Sequence, residues 1–168
     1  MKKFFSALFF FGIIFTAFSA SAQLSSGENA EKVYLPIAPH WWQTATPKEV
    51  EELLNQGASA SGRVENNVIY SYIDTPIMLA AKYSKYPEII DILVQHGANV
   101  EDENILQETP LILAALFSNY PDIIKALLKN KANPHAKNIY GQNALFYATS
   151  NPFIYNTVAY WSLKNKTQ

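Results

Sequence analysis

The sequence predicts an all-α solenoid of about four short helix-turn-helix units, with extended hairpin loops between the units and outer units that act as caps. Two observations indicate this fold. A short apolar motif recurs at a spacing of 34 residues, and each copy is followed by a second shared block. Helix pairs this short cannot bury their apolar faces alone, so the units must stack side by side.

The first shared block predicts the first helix of each unit. It reads TPIMLAA at 75–81 and TPLILAA at 109–115, with a weaker copy, NALFYAT, at 143–149. A Thr hydroxyl can accept from the free N–H groups at a helix start, and Pro is tolerated in the first turn because its nitrogen needs no partner there. The Ala-Ala pair is small and predicts that neighbouring helices approach closely.

The second shared block predicts the second helix of each unit. It starts at Pro87 and Pro121, and its Ile and Leu pairs recur at i, i+3 and i+4, which places them on one face of a helix. A shorter version starts at Pro47. Gly57 and Gly97 follow these helices, where a left-handed residue ends a helix and glycine adopts that conformation at little cost.

These motifs closely resemble the ankyrin repeat, which combines Thr-Pro-Leu-x-Leu-Ala-Ala with Pro-Glu-Ile-Ile, Leu-Leu and Gly-Ala-Asn. The likeness is strong over 75–143 and weaker on either side of it. The sequence differs from the family at Met78 and Ile112, where His is usual, and at Lys131, where Gly is usual. The resemblance implies units at about 37–74, 75–108, 109–142 and 143–168.

Aromatic residues at both ends predict that the outer units cap the stack. Trp41 and Trp42 stand in the first unit. The last unit contains six large aromatic residues, which we expect to cover the open end of the core: Phe146, Tyr147, Phe153, Tyr155, Tyr160 and Trp161.

The N-terminal segment has the pattern of a secretory signal peptide over residues 1–22. Two lysines precede an uncharged apolar run at 4–18, and small residues then lead to an expected cleavage site near Ala22. We expect a flexible lead at 23–36, a repeat domain at 37–168, and no transmembrane anchor after cleavage. The expected location is periplasmic or secreted.

Composition narrows the classes of function. The chain has no cysteine, so its stability must come from packing without disulfides. Removing the two lysines of the signal from thirteen Lys and Arg leaves eleven against fourteen Asp and Glu, a formal charge of −3. This balance does not favour nucleic acid as a partner.

Catalytic and metal-binding patterns are not evident. His40, His96 and His135 do not form a convergent set at helical spacing, and the acidic run 101–103 is typical of a solvated loop. The sequence therefore predicts a non-enzymatic protein without a metal or cofactor. The alternative is a small hydrolase that uses a carboxylate and His135.

The loops between units contain apolar residues at corresponding places, at 68–74, 104–108 and 138–142. We call these loops the first, second and third fingers. The resemblance implies that the fingers and the first helices form a protein-binding face. Residues expected there are Tyr70, Tyr72, Asp74, Lys82, Tyr83, Ile105, Leu106, Glu108, Leu116, Phe117, Ile139, Tyr140 and Gln142.

Two other roles for the apolar loop residues stay open. Ile73, Leu106 and Ile139 could instead pack between neighbouring fingers and stiffen them, or the fingers could join two copies of an otherwise monomeric chain. Bacterial exported proteins that this chain resembles include inhibitors that neutralise a toxin, as immunity proteins do, and accessory factors for an envelope enzyme. The sequence favours neither of these two roles.

Overall fold

Short helices alternate with loops throughout the computed structural model, which describes residues 35–61 and 74–167. The described residues contain no strand, and their helical stack confirms the all-α solenoid. The helices are α1 Pro39–Thr44, α2 Pro47–Asn55, α3 Pro76–Tyr83, α4 Glu88–Gln95, α5 Pro110–Phe117, α6 Pro121–Lys129, α7 Ala144–Ala148 and α8 Val158–Thr167.

The helices form two layers. In the inner layer α1 packs on α3, α3 on α5 and α5 on α7, while in the outer layer α2, α4, α6 and α8 pack in the same order. The Ala pairs of α3 and α5 are fully buried between inner helices, because only small side chains let these helices approach closely. Outer helices contribute the Ile and Leu seam, in which Ile89, Ile90 and Leu93 are fully buried.

Side chains cap the starts of several helices as the sequence predicts. The Thr109 hydroxyl accepts from the backbone N–H of Ile112 at 3.4 Å, and Asn143 Oδ1 accepts from that of Phe146 at 3.0 Å. Thr75 differs from its equivalent Thr109, since its buried hydroxyl has no hydrogen-bond partner among the described residues.

A left-handed residue ends the second helix of each of the first three units. Gly57, Gly97 and Lys131 have φ values of +99°, +93° and +68°. In the second unit the N–H of Ala98 donates to the carbonyl of Leu93 at 2.9 Å, which satisfies one of the last free carbonyls of the helix.

The two ends of the stack differ from each other. Trp42 is fully buried, and its Nε1 donates to the carbonyl of Pro36 at 2.7 Å, so an aromatic ring does close this end of the core. At the other end only Tyr160 is buried and Tyr147 half-buried. The other four expected cap aromatics are 46–55% exposed, because no described helix covers their side of the last unit: Phe146, Phe153, Tyr155 and Trp161.

The predicted signal peptide at 1–22 and most of the predicted lead at 23–36 lie outside the described residues. Within the described part of the chain, none of the helices has the length and apolar character needed to cross a membrane.

Candidate protein-binding surface

A buried asparagine holds the third finger together. Asn138 is 4% exposed, and its Oδ1 accepts from the backbone N–H groups of Tyr140 and Gln142, both at 3.0 Å. Its Nδ2 donates to the hydroxyl of Tyr147 at 2.8 Å, and that hydroxyl donates to Oε1 of Gln142 at 2.5 Å. Gln142 is therefore engaged within the protein, and the chain of hydrogen bonds ties the finger to α7.

The second finger has the same construction around Asn104. Its Oδ1 accepts from the N–H groups of Leu106 and Glu108 at 2.9 and 3.0 Å, and its Nδ2 donates to the Glu108 carboxylate at 2.8 Å. Glu108 is only 7% exposed. The sequence placed Glu108 on the partner face, whereas the structure turns its carboxylate into the finger, where it satisfies the Asn104 amide.

The two fingers are joined to each other through their backbones. The N–H of Ile139 donates to the carbonyl of Leu106 at 3.0 Å. The Leu106 side chain is half-buried, as expected of a residue that packs between fingers, whereas Ile105, Ile139 and Tyr140 are 46%, 50% and 68% exposed. We call these three exposed side chains the finger row.

An ion pair occupies the end of the first finger. Lys82 Nζ lies 2.8 Å from Asp74 Oδ2, and the two side chains are only 16% and 12% exposed. Burial lowers the pKa of Lys82, but the hydrogen bond and charge of Asp74, with a smaller contribution from Tyr83, outweigh burial and raise that pKa above its ordinary value. Lys82 and Asp74 therefore satisfy each other. Tyr70 and Tyr72 lie outside the described residues.

The ends of the inner helices add aromatic surface. Phe117 is 50% exposed, and Lys82 Nζ lies 5.0 Å from its ring centre, while Tyr83 and Leu116 are half-buried. Leu116 and Phe117 line a pocket of about 230 Å³ that is completed by the segment after α7, which includes Phe153.

Sequence reasoning did not find the residue that shapes this pocket, Asn151. Its Nδ2 donates to the carbonyls of Ala115 and Ser118, both at 3.0 Å, and its Oδ1 accepts from the N–H of Phe153 at 3.0 Å. One buried amide thus fixes the segment after α7 against the end of α5. The signal was available, because the repeat spacing aligns Asn151 with the aromatic Phe117 of the preceding unit.

The described residues show no cluster of three or more His, Cys, Asp or Glu side chains that could hold a metal ion. His135 is exposed, and its backbone N–H donates to Asn133 Oδ1 at 3.0 Å. Glu101 accepts from the N–H of Asn133 at 2.7 Å, which ties consecutive inter-unit loops together. The geometry around these residues is that of loop connections, and it gives the alternative of a His135-dependent hydrolase no support.

Comparison with protein families gives one match. The family model described as ankyrin repeats in three copies matches residues 43–138 and residues 77–160. Among curated proteins, none matches the chain. The family model covers all three of the left-handed helix ends and both of the described fingers.

Proposed function

Because the chain belongs to the ankyrin-repeat family, whose repeats serve as protein–protein interaction modules, we propose that it is a non-enzymatic module that binds another protein in the bacterial envelope. Its role would be that of an immunity-type inhibitor or an accessory factor. The N-terminal sequence pattern supports export, with cleavage near Ala22 and a periplasmic or secreted location.

The finger row is the observation that carries this proposal. Ile105, Ile139 and Tyr140 are exposed apolar side chains on fingers that are held rigid by Asn104 and Asn138. Rigid, pre-positioned apolar groups lose little conformational entropy when a partner covers them, so they are suited to be the centre of a protein interface.

The finger row can be tested by capture of a partner from the envelope fraction. We expect that the triple variant Ile105→Ser, Ile139→Ser and Tyr140→Ser recovers much less partner than the unchanged chain. Val158→Ser is the matched control, because Val158 is 71% exposed, as Tyr140 is 68% exposed, but lies at the start of the outer helix α8. Equal recovery by the triple variant and the control would refute the proposed surface.

Cell fractionation tests the location separately. We expect the chain in the periplasmic or secreted fraction, with an N-terminus at Gln23 after signal removal. A chain that keeps Met1 and stays in the cytoplasm would refute export while leaving the finger row untouched.

The direction of the partner's response separates the two roles. When the chain is added to the purified partner, an inhibitor lowers the partner's activity and an accessory factor raises or preserves it. A partner whose activity and half-life do not change would contradict both roles.

A further inference from the structure

The pocket between the third and fourth units is built to receive a side chain. Leu116 and Phe117 form one wall at the end of α5, and Tyr147 and Phe153 form another. Asn151 holds the walls at a fixed distance, because it is 8% exposed and its hydrogen bonds reach both sides. With a volume of about 230 Å³, the pocket has room for one aromatic or branched aliphatic side chain.

The polypeptide on this side of the stack lacks acidic residues. After Asp122 the sequence contains no Asp or Glu, whereas it contains six lysines. Lys125 and Lys129 are paired with Asp122 and Asp91. The other four form no salt bridge within the described residues, and they are Lys131, Lys137, Lys164 and Lys166.

Exposed aromatic rings accompany the positive charge. Phe153, Tyr155 and Trp161 are 55%, 54% and 46% exposed, and Lys164 Nζ lies 4.9 Å from the Trp161 ring centre. Aromatic residues next to cations are typical of surfaces that bind acidic protein segments, since the rings supply contact area and the ammonium groups supply charge complementarity.

A second copy of this chain fits the surface less well. Half-exposed aromatic rings offer on the order of 100 Å² each, so three of them provide roughly 300 Å², below the roughly 800 Å² per partner of a stable interface. A symmetric pair would also bring like-charged lysines together. A flat lipid surface would contact the rings but leave the pocket unfilled.

We propose that the end of the stack formed by the fourth unit binds an acidic segment of a partner protein, and that one aromatic or branched aliphatic side chain of this segment enters the pocket between Phe117 and Phe153. The inference rests on the proposed function in that the ligand is a protein. It adds a second contact region beyond the finger row and specifies the chemistry that is recognised there.

The test uses a library of random short peptides selected on the purified chain. We expect the enriched peptides to combine several Asp or Glu residues with an aromatic or branched aliphatic residue. The best synthetic peptide should bind Phe153→Ser and Phe117→Ser about tenfold or more weakly, which is the loss typical of a central anchor contact. Its affinity should fall as salt is added, because charge attraction contributes to binding.

Controls make each outcome decisive. Ile105→Ser, which alters only the finger row, should bind the peptide as the unchanged chain does, and the circular dichroism of each variant should show the same helix content. Enrichment of peptides without acidic residues, failure of any peptide to enrich, or equal binding by Phe153→Ser would overturn the proposal.

Two further measurements test the other occupants. Preferential binding to phosphatidylglycerol vesicles over the acidic peptide would assign the surface to lipid, and concentration-dependent dimers abolished by Phe153→Ser would assign it to a second copy; either result overturns the proposal. Partner capture that depends on the finger row but not on Phe153 would overturn this inference alone. Loss of the finger-row effect with peptide binding intact would overturn only the finger row.

Discussion

Lys131 lies in the third unit at the position that Gly97 occupies in the second, and the backbone φ is positive at both residues, +68° and +93°. Both residues end a helix with the same hydrogen bond, from the next residue to a carbonyl of the last turn, at 3.0 and 2.9 Å. The backbone geometry of the repeat is thus kept although the residue that best tolerates it is not. A lysine in the left-handed region has a steric cost that glycine avoids.

We therefore expect Lys131→Gly to raise the free energy of unfolding by about 0.5–1 kcal/mol. Gly97→Ala should lower it by about 1 kcal/mol through the backbone alone, because an added Cβ would meet no atom within 4 Å. Urea unfolding followed by circular dichroism measures both changes. A destabilised Lys131→Gly variant would show that the lysine side chain contributes more than its backbone costs.

Thr75 and Thr109 form a second matched pair. Both are 2% exposed, but only the Thr109 hydroxyl accepts a hydrogen bond, from Ile112. Thr109→Val removes a helix cap and should cost about 1 kcal/mol. Thr75→Val removes a buried hydroxyl without a partner among the described residues, so it should be neutral or stabilising by up to about 1 kcal/mol. Equal losses in urea unfolding would contradict this difference.

Asn151 should be important for stability as well as for the pocket. Replacing it with Ala leaves the carbonyls of Ala115 and Ser118 without their donor, and an unsatisfied buried group costs about 1–3 kcal/mol. Asn165→Ala, on the exposed side of α8, should change the unfolding free energy by less than about 0.5 kcal/mol. Thermal unfolding compares the two variants, and similar melting temperatures for both would contradict the bridging role.

Stability in acid should depend on Asp91, which joins outer helices α4 and α6. Its carboxylate lies 2.8 Å from Lys129 Nζ and accepts from Asn130 Nδ2 at 2.6 Å. Burial raises the pKa of Asp91, but the hydrogen bonds from Lys129 and Asn130 and the charge of Lys129 outweigh burial, so the pKa is lowered. The stabilisation is therefore present above the unfolded pKa of about 4 and is lost as pH falls through the lowered folded value.

The measurement is the unfolding free energy of the unchanged chain and of Asp91→Asn as a function of pH. The difference between the two should be constant near neutrality and should shrink below about pH 4. Lys129→Gln should narrow the same window, because it removes the positive partner. A difference that stays constant down to the lowest pH would rule out this linkage.

Asn138 connects stability to the finger row. Its side chain holds the N–H groups of Tyr140 and Gln142 and reaches the hydroxyl of Tyr147. Asn138→Ala should cost about 1–3 kcal/mol, since it leaves buried polar groups unsatisfied. It should also weaken partner capture without changing an exposed apolar residue, because the finger loses its fixed geometry. Tyr147→Phe, which removes only the last link, should have a smaller effect on both measurements.

The repeat pattern identified most of the helical framework. Thr109 caps its helix and the Ala pairs are buried between inner helices as the sequence indicated, because these features depend on contacts within a unit or between identical neighbouring units. Less regular features were harder to predict. Glu108 is buried, and most aromatic residues of the last unit are exposed, because both depend on which atoms come to lie beside them in space.

The sequence by itself determined the family, the two-layer order of the helices and the approximate position of each finger, because a spacing of 34 residues with the same apolar pattern permits only one kind of stacking. Only the tertiary structure decided which finger residues face outward and that Asn151 shapes a pocket. Those outcomes follow from hydrogen bonds between residues far apart in the chain, such as Asn151 with Ala115, and no local pattern encodes such pairings.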